Sequence, residues 1–406
     1  MTESAAIPIG GRAAGCPFAP APELTAAQKD PELPRATVPS PLLGAFDAVI
    51  VTRYEDVKTV LADDQLRMGG SMPYQAGNLL SYDGPEHTRL RRMLTGSFTT
   101  KRARELRPRI EDVVNSALDA VEEAGRGADL VRTFCTPIPT AVICELLGVP
   151  YADREEFQRR TAIALDFTTS REVQMEKAAE MEAYMAGLVA RHREDPGDNV
   201  LGRVVRDFGD QLTDSELAGI GNMLLIAGHE TIASTLSAGI ALLLRNPDQL
   251  AVVRDDPSAV DGAVEELLRF CAPAAILPRQ AAGNICVRDQ EIKAGERVVA
   301  SALAANRDPG RADQAGLAER SDRSDRADDG VPLDELDVRR PPQRHLAFGF
   351  GPHQCLGQQL ARMELRVALP ALFNRFPELR PTVPHDEVDY RTNALVFGVN
   401  ELPVTW

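Results

Sequence analysis

Phe348-Gly349-Phe350-Gly351-Pro352-His353-Gln354-Cys355-Leu356-Gly357 is the stretch of this 406-residue chain whose residue types and spacing are best suited to chemistry. Two glycines ahead of a lone cysteine permit a tight bulged turn. The helical pattern that follows, Gln358-Gln359-Leu360-Ala361-Arg362-Met363-Glu364, aims backbone N–H groups and the positive end of its dipole at the sulfur. Such surroundings favour thiolate. A thiolate on a Gly-rich loop, with Phe348 beside it as a shield, suits the axial position of a haem iron, although the commonest fate of a lone free cysteine is a buried small hydrophobe. The pattern Phe-x-x-Gly-x-x-x-Cys-x-Gly arises by chance roughly once per thousand chains of this composition.

Three other constellations stand out. Glu266-Leu267-Leu268-Arg269 places an acid and a base at i, i+3 on one helical face, a spacing also ordinary for solvated surface pairs. Ala227-Gly228-His229-Glu230-Thr231 puts glycine and a hydroxyl in mid-helix, where both are unfavourable and where Thr can bond a local carbonyl, so a tolerated kink is the bland alternative. A zinc-protease His-Glu-x-x-His would need histidine at 233, and that residue is Ala233. Finally, His87 and Arg91 lie i, i+4 within Pro85-Glu86-His87-Thr88-Arg89-Leu90-Arg91-Arg92, with Arg279 and His353 as further cations.

The Cys355 loop and its helix resemble the haem-binding loop of the cytochrome P-450 monooxygenases of the bacterial soluble type, and the other three constellations follow in that family's order. The resemblance runs from about Asp47 to Trp406. It implies a single-domain cytochrome P-450 fold, mainly α with a small β region (α+β), holding haem b between the long central helix and the Cys-loop helix. It implies Cys355 as the iron ligand and Phe348 as its shield. Ala227 and Gly228 would leave room for dioxygen, and Glu230 and Thr231 would supply protons. His87, Arg91, Arg279 and His353 would bind the haem propionates, a task suited to guanidinium's planar fork. Glu266 and Arg269 would form a buried pair joined by a later arginine, whose identity is ambiguous here. Residues that would face a substrate are Met72 to Leu80, Leu165 to Thr169, Leu224 to Thr231, Ala274 to Leu277 and Leu395 to Phe397, mostly apolar or small.

The resemblance implies O2-dependent oxidation of a hydrophobic organic molecule, in this family often a natural-product intermediate, by hydroxylation, epoxidation or oxidative coupling. Electrons would come from a ferredoxin and a ferredoxin reductase, since no GxGxxG signature for a flavin or nicotinamide is present. Arg89, Arg92 and Arg362 would offer an acidic ferredoxin a local basic surface. A peroxide-driven peroxygenase and a non-catalytic haem-binding sensor module are the alternatives.

The elements that must position these groups can be read in order. The first 41 residues hold eight of the 29 prolines and read as an irregular lead-in that wraps the remainder, residues 42–406. Ala48 to Thr52 reads as a strand and Tyr54 to Leu61 as a helix. Arg107 to Glu123 is amphipathic, with Pro108 in its first turn. Thr213-Asp214-Ser215-Glu216 caps a very long helix toward Arg245, and Pro257 to Phe270 forms the next. Ile285 to Val287 and Arg297 to Ala300 are short strands. Within residues 310–340, 15 of 31 side chains are charged and none is aromatic, which makes the middle of that segment a solvated insertion.

Composition narrows the classes. With 45 Lys+Arg against 60 Asp+Glu, the net charge of −15 argues against nucleic-acid binding. Six scattered cysteines make no disulfide scaffold and no CxxC pair. The N-terminus lacks a signal-like pattern, and the longest apolar stretch, Met223 to Leu244, is interrupted by polar residues. A cytoplasmic monomer without a membrane span is the expectation.

Overall fold

The computed structural model describes residues 6–8, 10–39, 44–69, 74–153, 159, 171–310 and 331–406. The helices are α1 (Pro22–Lys29), α2 (Tyr54–Ala62), α3 (Gly84–Thr95), α4 (Thr100–Ala124), α5 (Pro137–Leu147), α6 (Arg171–Glu194), α7 (Val200–Phe208), α8 (Asp214–Arg245), α9 (Pro247–Asp255), α10 (Val260–Cys271), α11 (Ala302–Ala305) and α12 (Gln358–Arg375). The strands are β1 (Arg12–Ala13), β2 (Cys16–Pro20), β3 (Arg35–Val38), β4 (Phe46–Val51), β5 (Leu66–Arg67), β6 (Ala128–Asp129), β7 (Ile276–Ala281), β8 (Ile285–Val287), β9 (Gln290–Ile292), β10 (Arg297–Ser301), β11 (Arg380–Pro381) and β12 (Pro403–Thr405). Helix dominates and the sheets are small, as the α+β reading requires.

The long helix α8 starts where its cap predicts. The Thr213 hydroxyl accepts from the Glu216 amide at 3.1 Å while the Glu216 carboxylate accepts from the Thr213 amide at 2.9 Å. Asn246 and Pro247 end it, since the proline cannot continue the ladder. α8 is long and apolar enough to cross a membrane by composition, yet 72% of its apolar window is buried inside the protein, against α5, α6 and α12. Its hydrophobicity therefore serves the core.

The main sheet has the order β3-β4-β10-β7-β5. β4 and β10 run parallel with Val49 opposite Val298, while β3–β4, β10–β7 and β7–β5 are antiparallel. β7 thereby carries Arg279, paired with Val298, toward the interior.

Three expectations need correction. The Pro-rich lead-in is not irregular: it forms the β1–β2 hairpin, α1 and β3, with Pro22 in the first turn of α1, where its missing N–H costs nothing. Ile7, Leu24 and Ala27 pack with Ile50 and Val299. Arg12 is almost wholly buried, donating to the carbonyls of Pro17, Cys271 and Ala272, with its guanidinium 3.6 Å from the Phe397 ring centroid. Helix α4 begins at Thr100 behind the Thr99 cap, which puts Pro108 inside the helix instead of in its first turn. The apolar stripe extends back to Ala103, and Pro108 lies on the exposed face, where water can satisfy the carbonyl it frees. The expected helix from Pro257 is a 3-10 turn, Pro257–Ala259, leading into α10. The middle of the charged insertion, 311–330, lies outside the described residues, as do substrate-facing positions 72–73 and 165–169.

Candidate active site

Gly349 and Gly351 adopt φ of 67° and 73°, the left-handed region closed to most side chains, so the bulged turn ahead of Cys355 is built on them. At Gly351 a Cβ would also lie 2.4 Å from the Leu61 carbonyl oxygen at the end of α2. The Cys355 amide closes the loop by donating to the Phe348 carbonyl at 2.8 Å, and α12 begins three residues later. The loop does not by itself secure the thiolate. Burial pushes the Cys355 thiol above its usual range, outweighing the Gly357 amide and the charges of Arg91 and Arg362. Coordination to a metal cation, which deprotonates a thiol outright, would supply what the dipole cannot.

Phe348 is held beside this loop by Arg362, which the sequence reading assigned to a basic surface, and by Glu265 and His345, which it missed. Arg362 stacks 4.5 Å from the Phe348 ring centroid and donates to Glu265 through Nε and Nη2, at 2.7 and 2.9 Å. His345 reaches the same carboxylate at 3.2 Å, with its ring 5.8 Å from that of Phe348. Burial opposes ionisation of Glu265, but these two partners hold it down to about 2. Glu265 sits next to Glu266, and the turn of about 100° between neighbours on a helix gives them different partners, Arg362 and His345 for one and Arg269 and Arg340 for the other.

The expected cations converge. The His87 and His353 rings lie 4.1 Å apart between centroids, and Arg91 donates to the Gln354 carbonyl beside Cys355. Arg279 is buried against Met68 Sδ at 2.6 Å and the Pro278 carbonyl at 2.8 Å. Asp83, which the sequence reading did not single out, organises the cluster. Its carboxylate accepts from the amides of Met68 and Gly69 at 3.1 and 2.8 Å and bonds His353 Nε2 at 2.9 Å. Burial works against its charge, yet those bonds bring it down to about 2. Burial first, then the charges of His353 and Arg91, push the His87 imidazole down to about 4, a penalty on its charged form that an anion bound beside it would offset.

These residues fit an anionic group with apolar flanks. Among the described residues, His87 Nε2, His353 Nδ1 and Arg279 Nε are buried without a hydrogen-bond partner, and Arg91 and Arg279 form no ion pair. Propionates would satisfy all of them. On α8, Ile226 and Ala227 are exposed and Gly228, Glu230 and Thr231 part-exposed, in a helix otherwise buried on both sides of them. That face is where a planar cofactor and a substrate would lie. Gly228 has a further reason for its size: a Cβ there would meet Ile143 Cδ1 of α5 at 2.9 Å, so it permits helix contact while Ala227 leaves the open space. The Thr231 hydroxyl donates to the Ala227 carbonyl at 2.7 Å, the local bond anticipated for it. Among the substrate-facing positions, Leu395 is exposed, whereas Phe397 is buried beneath Arg12 and belongs to the core.

Glu266 and Arg269 are buried, with Arg269 Nε and Nη2 donating to the carboxylate at 2.6 and 2.8 Å. The third partner is Arg340, whose Nε reaches Glu266 at 3.3 Å. The expected basic surface is weaker than its sequence suggests. Arg89 is neutralised by Glu86 and Glu216, both at 2.8 Å, and Arg362 by Glu265, which leaves Arg92 exposed.

Comparison with known proteins agrees with this geometry. The family model described as cytochrome P450 matches residues 149–311 and 322–403. Cytochrome P450 FAS1 of Rhodococcoides fascians is 41% identical over 377 residues, covering 88% of this chain and 90% of that one. Pentalenic acid synthase of Streptomyces avermitilis is 41% identical over 372 residues, covering 88% of each. The crystal structure of CYP105P1 in complex with filipin I superposes with a TM-score of 0.86 at 35% identity, over 100% of this chain and 99% of that one.

Proposed function

The chain belongs to the cytochrome P450 family and is a haem-binding P450 monooxygenase, and on that premise we propose that it oxidises a mainly hydrophobic natural-product intermediate, using O2 and electrons from a ferredoxin and its reductase. The observation that carries this reading is the accessible stretch Ile226–Thr231 within a buried helix, which joins an apolar surface for substrate to an acid and a hydroxyl. Similarity to pentalenic acid synthase and to a protein crystallised with filipin I supports the substrate class.

When bound, haem b supplies the iron at which dioxygen is activated and from which one oxygen atom passes to substrate. Cys355 is the residue to ligate it. Arg91 and Arg279 would pair with the propionates, with His353, oriented by Asp83, and His87 donating alongside. One oxygen atom enters the product and the other leaves as water, so two electrons and two protons must arrive. Glu230 and Thr231 stand on the accessible face of α8 to pass those protons, and this pair favours O2 over a peroxide-driven reaction. Insertion into C–H and addition to a double bond follow this balance, whereas oxidative coupling draws the same two electrons and two protons from outside and two hydrogen atoms from substrate, so that both oxygen atoms leave as water. Arg92 contributes to the face that receives the ferredoxin.

The test is the absorption spectrum of the reduced, CO-treated protein. Wild type gives the thiolate-haem band, and Cys355→Ser loses it while retaining the far-UV spectrum of the fold. A wild type lacking that band refutes the assignment.

A further inference from the structure

The Glu230 carboxylate is tethered. It accepts from Arg391 Nη1 at 2.5 Å and from Ser234 Oγ at 3.3 Å, and Arg391 Nη2 donates to that same Ser234 Oγ at 2.7 Å. One guanidinium fork therefore spans the acid at position 230 and the hydroxyl one turn further along α8. Arg391 comes from a distant part of the chain, a C-terminal segment stapled to α8 at several points. Its amide donates to the Gly398 carbonyl at 2.9 Å, Tyr390 pairs with Val399, and the Val399 amide donates to Ser237 Oγ of α8 at 3.2 Å. The fit is close: a Cβ on Gly398 would lie 2.7 Å from Arg391 Nη2 and 3.0 Å from the Ser234 Cα.

We propose that Arg391 is the positioning residue for proton delivery: by gripping Glu230 and Ser234 together, it fixes where the Glu230 carboxylate can meet Thr231 and incoming water. This rests on the reading that Glu230 and Thr231 pass protons. A guanidinium does not itself release a proton at physiological pH, so its contribution is geometric and electrostatic. An acid on an accessible helix face has several rotamers, and only those that face the reacting oxygen relay protons to it. One bond from the guanidinium and one from the Ser234 hydroxyl that the same guanidinium holds, both to Oε1, select among them. The grip also joins the acid to the segment that carries the exposed Leu395, so a shift of that segment would be felt at Glu230.

The experiment uses the haem-loaded full chain without added organic substrate, a surrogate ferredoxin and reductase, and NADPH. Oxygen then leaves either as hydrogen peroxide, after two electrons and two protons, or as water, after four of each. The peroxide formed per NADPH oxidised reads proton delivery. Alongside it, the C–O stretching band of the ferrous protein with CO as probe reports which polar groups face the gas, independently of turnover. R391Q is expected to raise the peroxide fraction by about threefold or more and to shift or broaden the CO band, as E230Q does. R391K is expected to recover part of both. The double variant R391Q/E230Q should be no worse than E230Q alone, because Arg391 acts through Glu230. Should R391Q not hold haem, S234A removes the shared hydroxyl and should move both readouts in the same direction by less. If E230Q alters both readouts while R391Q, or S234A in its place, leaves both at wild type, Arg391 has no positioning role. If the R391Q and E230Q effects multiply, Arg391 acts elsewhere. If E230Q changes neither readout, the proton-route reading itself fails and this inference falls with it.

Discussion

Removing Arg269 should cost far more than removing Arg340, although both reach Glu266. Arg269 gives that carboxylate two bonds, at 2.6 and 2.8 Å, and ties down the carbonyls of Asn306 and Leu333 at 2.9 and 2.7 Å. Arg269→Ala leaves Glu266 buried with a 3.3 Å contact to Arg340 and the Asp337 amide at 3.0 Å as its support. Breaking a buried pair in this way costs roughly 3–5 kcal/mol. Arg340→Ala leaves the Glu266–Arg269 fork intact and loses one long bond to the carboxylate plus bonds to the carbonyls of Val331, Pro332 and Glu335. Those carbonyls lie at the edge of the fold and can turn to water, so the loss should be about 1–2 kcal/mol. The assay is urea denaturation at fixed haem stoichiometry, followed by both far-UV circular dichroism and haem absorbance. With a slope of roughly 3 kcal/mol/M for a chain this size, Arg269→Ala should lower the midpoint by about 1–1.7 M and Arg340→Ala by about 0.3–0.7 M. Glu266→Gln combined with Arg269→Ala should cost less than the sum of the two, because the second change removes the charge that the first strands. Equal midpoints for the two arginine variants would refute the argument that Arg269 compensates the buried charge.

Two further outcomes follow from the site. Asp83 is held at about 2 in the fold, below the usual carboxylate value, so its bonds stabilise the protein above the unfolded value near 4 and that contribution is lost as pH falls toward 2. The contribution is about 2 kcal/mol, and Asp83→Asn should flatten the acid limb of the stability profile between about pH 4 and 2; an unchanged acid limb would remove Asp83 from the cluster. Thr231→Ala should raise the peroxide released per NAD(P)H during turnover several-fold, and unchanged coupling would take Thr231 out of the proton route.

The chemistry was more legible than the framework around it. The Cys355 loop could be found because glycines at 349 and 351 and a lone thiol are local signals, and the Thr213–Glu216 capping box marked the start of α8 to the residue. Asp83, Glu265, His345 and Arg391 escaped notice because each becomes meaningful through a partner that is remote in sequence: His353, Arg362, Glu265 and Glu230 respectively. A single acid or arginine in a chain that is 26% charged carries no mark of such pairing. The thiol of Cys355 shows the opposite failure. The helix dipole is visible in the sequence, but the burial that opposes it depends on the assembled core. The lead-in was misread because proline content describes backbone limits, while the β3–β4 pairing and the burial of Ile7 and Leu24 come from contacts with the rest of the fold.

The β4–β10 pairing has a consequence for biosynthesis. Val49 finds Val298 as its neighbour, so the apolar strand Ala48–Val51 leaves the ribosome roughly 250 residues before the strand that will cover its edge. At about 5–20 residues per second the delay is about 10 to 50 s, during which a run of β-branched residues stays open to other nascent chains. Cys355 emerges later still, so neither the sheet nor the iron ligand is in place until most of the chain has been made. Yield of the native protein should therefore respond to chaperone capacity and growth temperature as strongly as to the supply of haem.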